Sequence, residues 1–312
     1  MEKLKIKKEA FCRFLKTINA VCPVERDIVR YDFFNDDEGF VFKKPCYPAK
    51  NYFLPDGETL FEFENNKIYE PAEQELFLQL ILMPRCDVNA LDRTDSVYLS
   101  NPEDKFYRKR RNNLVVMEIP CEPSRECFCE RLGLKDYYDV KLDVIDSEHY
   151  LLSCRTKKGK NFLKKIDNGL LKDNSVNKFK INVYDKNFVN KNPDCDNEKI
   201  WKNEADKCLS CGACTIVCPT CTCFHIEDCN EICQKKGKRQ RFMSSCQLKD
   251  FTEVAGGHVF RESRDLRVRQ RIKHKMDYFK KQHGNVMCVG CGRCTEVCPA
   301  GISIQKIWED LR

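Results

Sequence analysis

Two stretches of the chain share one cysteine spacing: CLSCGACTIVCP at residues 208–219 and CVGCGRCTEVCP at residues 288–299. Each has the form C-x2-C-x2-C-x3-C-P, which holds [4Fe-4S] clusters in two-cluster iron–sulfur proteins. Three closely spaced thiolates can bind three irons of one cubane only where the backbone turns tightly. Gly212 and Gly292 permit that turn, because glycine adopts conformations that other residues avoid. In such proteins the fourth cysteine, followed by proline, ligates the neighbouring cluster.

This crossed ligation assigns eight cysteines to two [4Fe-4S] clusters. The first cluster takes Cys208, Cys211, Cys214 and Cys298, and the second takes Cys288, Cys291, Cys294 and Cys218. Structural zinc and disulfides are the alternatives, because closely spaced cysteines serve both. Zinc ribbons use two C-x2-C pairs rather than a triplet with a distant Cys-Pro, so the duplicated triplet favours two clusters. The function that follows is the transfer of single electrons.

Another group of cysteines lies in the N-terminal half of the chain. Cys86 stands at the end of one predicted strand, and Cys121, Cys127 and Cys129 follow another. Because strand ends of one sheet can converge, these four thiolates are a candidate site for a third [4Fe-4S] cluster. Unliganded buried cysteines and a structural zinc are the alternatives, since cysteine is among the most buried residue types.

The remaining cysteines lack a complete ligand set. Cys221, Cys223 and Cys246 could hold another metal, shield the first cluster, or pack around it as polarisable side chains, and packing is the favoured interpretation. Free thiols are expected at the other seven positions, which are Cys12, Cys22, Cys46, Cys154, Cys195, Cys229 and Cys233.

Length and composition indicate a globular protein of about two domains. Hydrophobic residues make up 42% of the 312 residues, with 20 Phe and 11 Tyr, enough to form a substantial core. The longest apolar stretch, residues 76–83, is too short to cross a bilayer, and the N-terminus lacks the apolar region of a signal peptide. The 22 cysteines without an export signal indicate a reducing compartment, so we expect a cytoplasmic protein of an anaerobic cell.

Charge and motifs exclude several classes of function. The formal charge of +7 is spread among 48 acidic residues, which gives little support for nucleic-acid binding. The basic run at residues 235–241 is interpreted as a solvated loop or a docking site for an acidic partner. Dinucleotide and phosphate-loop motifs are missing from the sequence. We therefore assign no catalytic residue, and expect flavin and NAD to be bound by another polypeptide.

Hydrophobic periodicity predicts an α+β fold. A helix is predicted within the first twenty residues, with helices near 88–92 and 159–171. Strands are predicted at residues 39–42, 59–63, 76–83, 114–119, 138–145 and 150–154. From about residue 194 the pattern is helical, with helices at 197–206, 263–282 and 304–311. The predicted organisation is a mixed α/β domain at 1–194, followed by a mainly helical, bacterial-ferredoxin-like dicluster domain at 195–312.

Short motifs of the chain resemble those of the iron–sulfur electron-transfer subunit of the anaerobic sulfite reductase. In the C-terminal part these are CPTCTC at 218–223, SC at 245–246, AGGHVFR at 255–261 and VMCVGCGRC at 286–294. In the N-terminal part they are RCDVNALD at 85–92, VYLSN at 97–101 and CFC at 127–129. The CPTCTC and Ala-Gly-Gly elements are shared with the β subunit of soluble nickel–iron hydrogenases. The motifs at 85–101 favour the sulfite reductase.

The resemblance implies a complex of three proteins. A flavin-bearing subunit would oxidise NADH, a siroheme subunit would reduce sulfite to sulfide, and this chain would relay single electrons between them without catalysing a reaction itself. It also supports the third cluster. The alternative is the iron–sulfur β subunit of a cytoplasmic nickel–iron hydrogenase or sulfhydrogenase. A second alternative is a zinc-binding nucleic-acid adaptor that uses the basic helix at 261–281, although neither nucleic acid nor a membrane is the expected partner.

Overall fold

The chain folds into two compact units, each assembled from separate stretches of sequence. A computed structural model describes residues 2–35, 38–71, 78–166, 171–172, 185–190, 197–231 and 235–311. Unit 1 comprises Met1–Ala49, Phe77–Asn187 and Val289–Gly292, and unit 2 comprises Lys50–Leu76, Phe188–Cys288 and Arg293–Arg312. The predicted α+β class is confirmed. The predicted boundary at residue 194 lies outside the described residues and stays a prediction.

The elements are numbered along the chain. The strands are β1 (Glu2–Lys7), β2 (Ala20–Glu25), β3 (Val29–Phe33), β4 (Glu58–Glu64), β5 (Lys67–Tyr69), β6 (Leu80–Pro84), β7 (Val115–Ile119), β8 (Val140–Val144), β9 (His149–Cys154), β10 (Leu171–Lys172), β11 (Phe224–Asn230), β12 (Lys236–Met243), β13 (Glu253–Val254) and β14 (His258–Val259). The helices are α1 (Lys8–Lys16), α2 (Arg85–Tyr98), α3 (Lys105–Asn113), α4 (Lys157–Leu163), α5 (Lys186–Asn190), α6 (Glu198–Lys207), α7 (Ala213–Ile216), α8 (Arg264–Lys273), α9 (Phe279–His283), α10 (Arg293–Glu296) and α11 (Ile304–Asp310). In the described part of the chain, no helix combines the length and apolarity needed to span a bilayer.

Unit 1 is built on an eight-stranded sheet in the order β10-β1-β9-β8-β7-β6-β2-β3. Strands β2, β6, β7 and β8 run parallel to one another. Every residue of β6 and β7 is buried, as expected of central parallel strands covered on both faces. Because β6 and β7 are adjacent and parallel, their carboxyl ends lie at one edge of the sheet. Cys86 and Cys121 each follow one of these two ends.

The core of unit 1 explains one wrong prediction. The sequence pattern predicts a strand at residues 39–42, but the described backbone there is irregular. Their apolar side chains instead pack into the core: the ring centroid of Phe40 lies 6.2 Å from that of Phe11 and 5.5 Å from that of Phe42. Phe11 also contacts Tyr150 edge to face at 5.7 Å. The alternating apolar pattern therefore reflects core packing rather than strand pairing.

Unit 2 contains a four-stranded antiparallel sheet, β11-β12-β4-β5. The basic run at 235–241 is not the predicted solvated loop, because β12 lies inside this sheet between β11 and β4. Its two arginines are paired there: Arg239 donates from Nε and Nη2 to Asp228 at 2.6 and 2.7 Å, and Arg241 forms a buried ion pair with Glu58. The three lysines of the run are exposed. The stretch between the two cysteine runs therefore contains a hairpin as well as helices.

The long helix predicted at 263–282 is confirmed with one irregularity. Helices α8 and α9 are joined by a π-helical turn at His274–Tyr278. Such turns are rare and are often found near functional sites. In the described residues the other C-terminal helices predicted, α6 and α11, begin and end within about a residue of their expected positions.

We predict that Phe11→Ala destabilises the protein by about 3–5 kcal/mol, because it removes a fully buried ring and leaves a cavity. Chemical denaturation under anaerobic conditions measures the loss. Phe33→Ala is the control, since the Phe33 side chain is exposed and its removal should cost little. Equal losses for the two variants would contradict the position of Phe11 in the core.

Candidate iron–sulfur centres

The two cysteine loops share one backbone conformation. In the first loop Ser210 and Gly212 have φ values of 54° and 77°, and in the second loop Gly290 and Gly292 have φ values of 65° and 73°. Each loop then enters a short helix, α7 or α10. A serine in the left-handed region is uncommon, and such residues gather at functional sites. The repeated turns give the two loops the tight curvature that the sequence predicted.

The four thiols assigned to the first cluster surround one cavity of unit 2. Cys208, Cys211, Cys214 and Cys298 all line it. The cavity volume is about 50 Å³, whereas one water molecule needs roughly 10–15 Å³. Four soft sulfur donors around such a space fit an iron–sulfur cluster. The shared cavity is compatible with the ligand set assigned from the sequence, and that set stays a prediction.

Backbone amides donate hydrogen bonds to two of these sulfurs. Ser210 N donates to Cys208 Sγ, and Ile302 N donates to Cys298 Sγ, each at 3.4 Å. Hydrogen bonds to cluster sulfurs are one of the means by which a protein sets a cluster's reduction potential. Burial raises the pKa of the Cys214 thiol, although the nearby Arg271 charge opposes the shift. Iron binding must therefore displace a proton from this thiol.

The residues assigned to the second cluster belong to two different parts of the fold. Cys218, Cys288 and Cys294 are in unit 2, and Cys291 is in unit 1. Burial raises the pKa of Cys294, and the nearby Cys218 raises it further, so these two thiols lie within electrostatic range. Cys294 also lines the cavity of the first site. The complete second ligand set stays a prediction.

Within unit 1, residues 289–292 pack against the cysteines proposed for the third cluster. Phe128 N donates to Gly290 O at 2.8 Å, and the Cys127 thiol donates to Cys291 O at 3.4 Å. A Cβ atom on Gly290 would lie 2.6 Å from Cys129 Cα. Lys44 Nζ donates to the same Cys291 carbonyl and lies 3.5 Å from Cys127 Sγ. The second cysteine loop therefore adjoins the third group directly.

Cys121, Cys127 and Cys129 lie within electrostatic range of one another. Burial raises the pKa of Cys121 to about 12, and Cys127 and Cys129 add to the shift. Asp87, the neighbour of Cys86, also acts on Cys121, while Cys86 itself is buried in the first turn of α2. Ligation of a cluster by these residues stays a prediction.

Sequence reasoning missed a group of buried cations beside the cysteines of unit 2. Arg267, Arg271 and Lys275 follow one another at four-residue spacing on the long helix, and all three are buried. Arg271 Nη1 lies 3.2 Å from Cys221 Sγ, and Lys275 Nζ donates to Thr220 Oγ1 at 2.9 Å. The fourth cation, Lys50, is also buried. The spacing was visible in the sequence, but a basic stripe usually indicates a solvated helix face.

Cys221, Cys223 and Cys246 lie among these cations. A hydrogen bond from Cys223 lowers the pKa of the Cys246 thiol, while burial opposes the shift and Arg271 supports it. Cys221 likewise donates a hydrogen bond to Cys218, which lowers the pKa of the Cys218 thiol and raises that of Cys221. Among the residues described, no three Cys, His, Asp or Glu side chains are arranged to hold a single metal ion. A cubane imposes a different requirement, since each of its thiolates binds a separate iron.

Comparison with known proteins identifies the family. Residues 207–302 match the family described as a 4Fe-4S dicluster domain. The chain is 32% identical to the sulfhydrogenase 2 subunit beta of Pyrococcus furiosus over 337 aligned residues, which span 100% of this chain and 99% of the relative. The chain belongs to the sulfhydrogenase β-subunit family. No solved structure matches it significantly. As a family member with a dicluster domain, it is an iron–sulfur electron-transfer protein of an oxidoreductase.

Assignment to the sulfite reductase was therefore wrong, and the sulfhydrogenase comparison replaces it. The siroheme and NADH-oxidising partners expected from that assignment lose their support. The motif at 85–92, which favoured it, lies in α2 and has a structural role: Asn89 Nδ2 donates to Lys135 O at 2.9 Å, and Asn89 Oδ1 accepts from Lys135 N at 2.8 Å. Residues that hold a shared fold together do not distinguish family members with different partners.

The close approach of Gly290 to Cys129 leads to a prediction. Gly290→Ala should lower both the melting temperature and the iron content, because its Cβ would collide with the Cys129 backbone. The cost should exceed about 1 kcal/mol. Gly301→Ala is the matched control, since Gly301 also has a positive φ but no atom lies within 4 Å of its Cβ position. Similar losses in both variants would show that backbone strain, rather than this contact, is responsible.

Proposed function

We propose that this chain is the iron–sulfur β subunit of a hydrogenase complex, in which it carries electrons one at a time between the hydrogen-converting subunit and an electron acceptor. The observation that carries the proposal is the cavity surrounded by Cys208, Cys211, Cys214 and Cys298, within the region that matches the dicluster family. The sulfhydrogenase relative supports the class of complex. The residues that bind the clusters would be the two sets of four cysteines assigned from the sequence.

The chemistry of hydrogen explains why such a subunit is needed. Oxidation of one H2 releases two electrons and two protons, whereas each [4Fe-4S] cluster changes by one electron at a time. Clusters in series therefore separate the two electrons and pass them to a second site. In this chain the thiols, the amides that donate to them and the surrounding charges set how readily each cluster accepts its electron.

Within each unit, the second cysteine loop contacts one of the other cluster sites. The third group adjoins the second loop, since Cys127 contacts the carbonyl of Cys291. Cys294, three residues further along that loop, lines the cavity of the first site. The 22 cysteines also support a cytoplasmic site of action, because a reducing compartment keeps them available for iron.

Cys211→Ser should stop electron flow through the assembled complex. Loss of a first-site ligand should remove that cluster, so that hydrogen no longer reduces the complex's own acceptor, while the hydrogen-converting subunit still reduces a dye directly. Both activities are measured on the same anaerobic preparation. Cys229→Ser is the control, because Cys229 belongs to neither set. Undiminished reduction of the acceptor by the Cys211 variant would contradict the proposed relay.

Cys129→Ser tests the third cluster. Three [4Fe-4S] clusters give about twelve irons per chain, and loss of one leaves about eight. Iron and sulfide analysis of the anaerobically purified chain should show that decrease. Cys12→Ser, a change of the same kind in the same unit, should leave the count unaltered. About eight irons in both the unmodified protein and the Cys129 variant would show that the third cluster is absent, without affecting the proposal for the first two.

A further inference from the structure

We infer that three of the four buried cations, Arg271, Lys275 and Lys50, raise the reduction potentials of the clusters in the dicluster domain, with Arg271 acting on both clusters and Lys275 mainly on the second. The inference rests on the proposed function, since it assumes that the two sets of cysteines hold [4Fe-4S] clusters. It assigns these three residues a positioning and tuning role, not a catalytic one.

Burial is the first observation. Arg271, Lys275 and Lys50 are 7%, 3% and 6% exposed, and in the described part of the chain none of them has a carboxylate within ion-pair distance. A buried charge without an opposite charge strongly destabilises a fold. Elsewhere in unit 2 a buried cation has the usual partner, since Arg241 pairs with Glu58. The three cations are instead surrounded by cysteine sulfur, hydroxyl and carbonyl groups.

Thiolate-bound clusters supply the missing negative charge. An oxidised [4Fe-4S] cluster with four thiolates carries a net charge of about −2. Two such clusters beside three cations would leave the buried region close to neutral. The expected negative charge of the clusters thus explains why these three cations can be buried.

Arg271 is placed to act on both clusters. Its Nη2 donates to Cys214 O at 2.7 Å, and the side chain lines the cavity of the first site. The same guanidinium also hydrogen-bonds the Cys294 thiol and lies within electrostatic range of Cys218, both of which are assigned to the second cluster. One charge therefore faces ligands from both sets.

Lys275 faces the second set more than the first. Its Nζ donates to Thr220 Oγ1, two residues after Cys218, and it lies near the Cys218 thiol. Its carbonyl accepts from Met287 N at 2.8 Å and Cys288 N at 3.2 Å, which anchors the start of the second loop. Lys50 reaches the group from a different part of the chain, where its Nζ donates to Thr215 O at 3.1 Å.

The effect on potential follows from charge. Reduction adds one negative charge to a cluster, and a nearby fixed cation stabilises the reduced form more than the oxidised form. In a buried site the interaction is weakly screened, so it is larger than at the surface. Removal of a cation should therefore lower the midpoint potential of each cluster that it faces.

The experiment is an EPR-monitored redox titration of the full-length chain, purified anaerobically, with iron content measured on each sample. Arg271→Gln should lower the midpoint potentials of both clusters, and Arg271→Lys, which keeps the charge, should restore most of the loss. Lys275→Met should lower the potential of the second cluster more than that of the first. The first-cluster signal is identified by its absence from Cys211→Ser. Lys281→Gln removes an equal charge from an exposed position on the same helical run and should leave both potentials unchanged.

The outcomes separate this inference from the proposed function. Unmodified protein that lacks iron would remove the proposed function itself. Cluster-loaded variants with unchanged potentials would overturn only the inference. It would also be overturned if Arg271→Lys lowered the potentials as much as Arg271→Gln, because Arg271 would then act through its hydrogen bonds and not through its charge. If Arg271→Gln fails to assemble its clusters, Lys275→Met still tests the inference. An equal shift of both midpoint potentials, or no shift of either, would contradict the position of Lys275 beside the second set.

Discussion

The structure of the cysteine loops depends on one constraint: three thiols, each separated from the next by two residues, must face a common space. The backbone satisfies it with two left-handed residues per loop, at Ser210 and Gly212 in one and at Gly290 and Gly292 in the other. The second pair has a further constraint, because Cβ atoms there would collide with the backbone of residues 126–129. Glycine at those two positions thus serves both the loop conformation and its packing against the neighbouring cysteines.

Charge balance is the second physical theme of unit 2. Arg271, Lys275 and Lys50 are buried near cysteine sulfur, while Arg239 and Arg241 of the basic strand β12 pair with Asp228 and Glu58. The two groups of basic residues look alike in composition but have different roles. Arg239 and Arg241 on β12 form ion pairs within a sheet, whereas Arg271, Lys275 and Lys50 have no carboxylate of the described chain within ion-pair distance. We therefore expect cluster binding and folding of this unit to be coupled.

The family comparison shows that short motifs differ in what they predict about function. The duplicated cysteine run predicted the dicluster domain because its spacing follows directly from the shape of a cubane. The motif at 85–92 was used to choose between two relatives and led to the wrong one. Asp87 and Asn89 are buried and bonded within unit 1, to Tyr31 and Lys135. Residues that serve the fold need not contact the partner, so this motif carries no information about the partner.

Sequence alone determined the features that depend on local spacing: the α+β class, the two cysteine loops, the long C-terminal helix and four of the eight strands of the unit 1 sheet. It could not determine contacts between distant segments. The pairing of β12 with β4, the packing of Phe40 on Phe11, and the convergence of Lys50 with Arg271 and Lys275 all join residues far apart in the chain. Only the tertiary structure decided these contacts, because burial and charge pairing depend on which segments meet in space. Local sequence patterns carry no information about which distant segments meet.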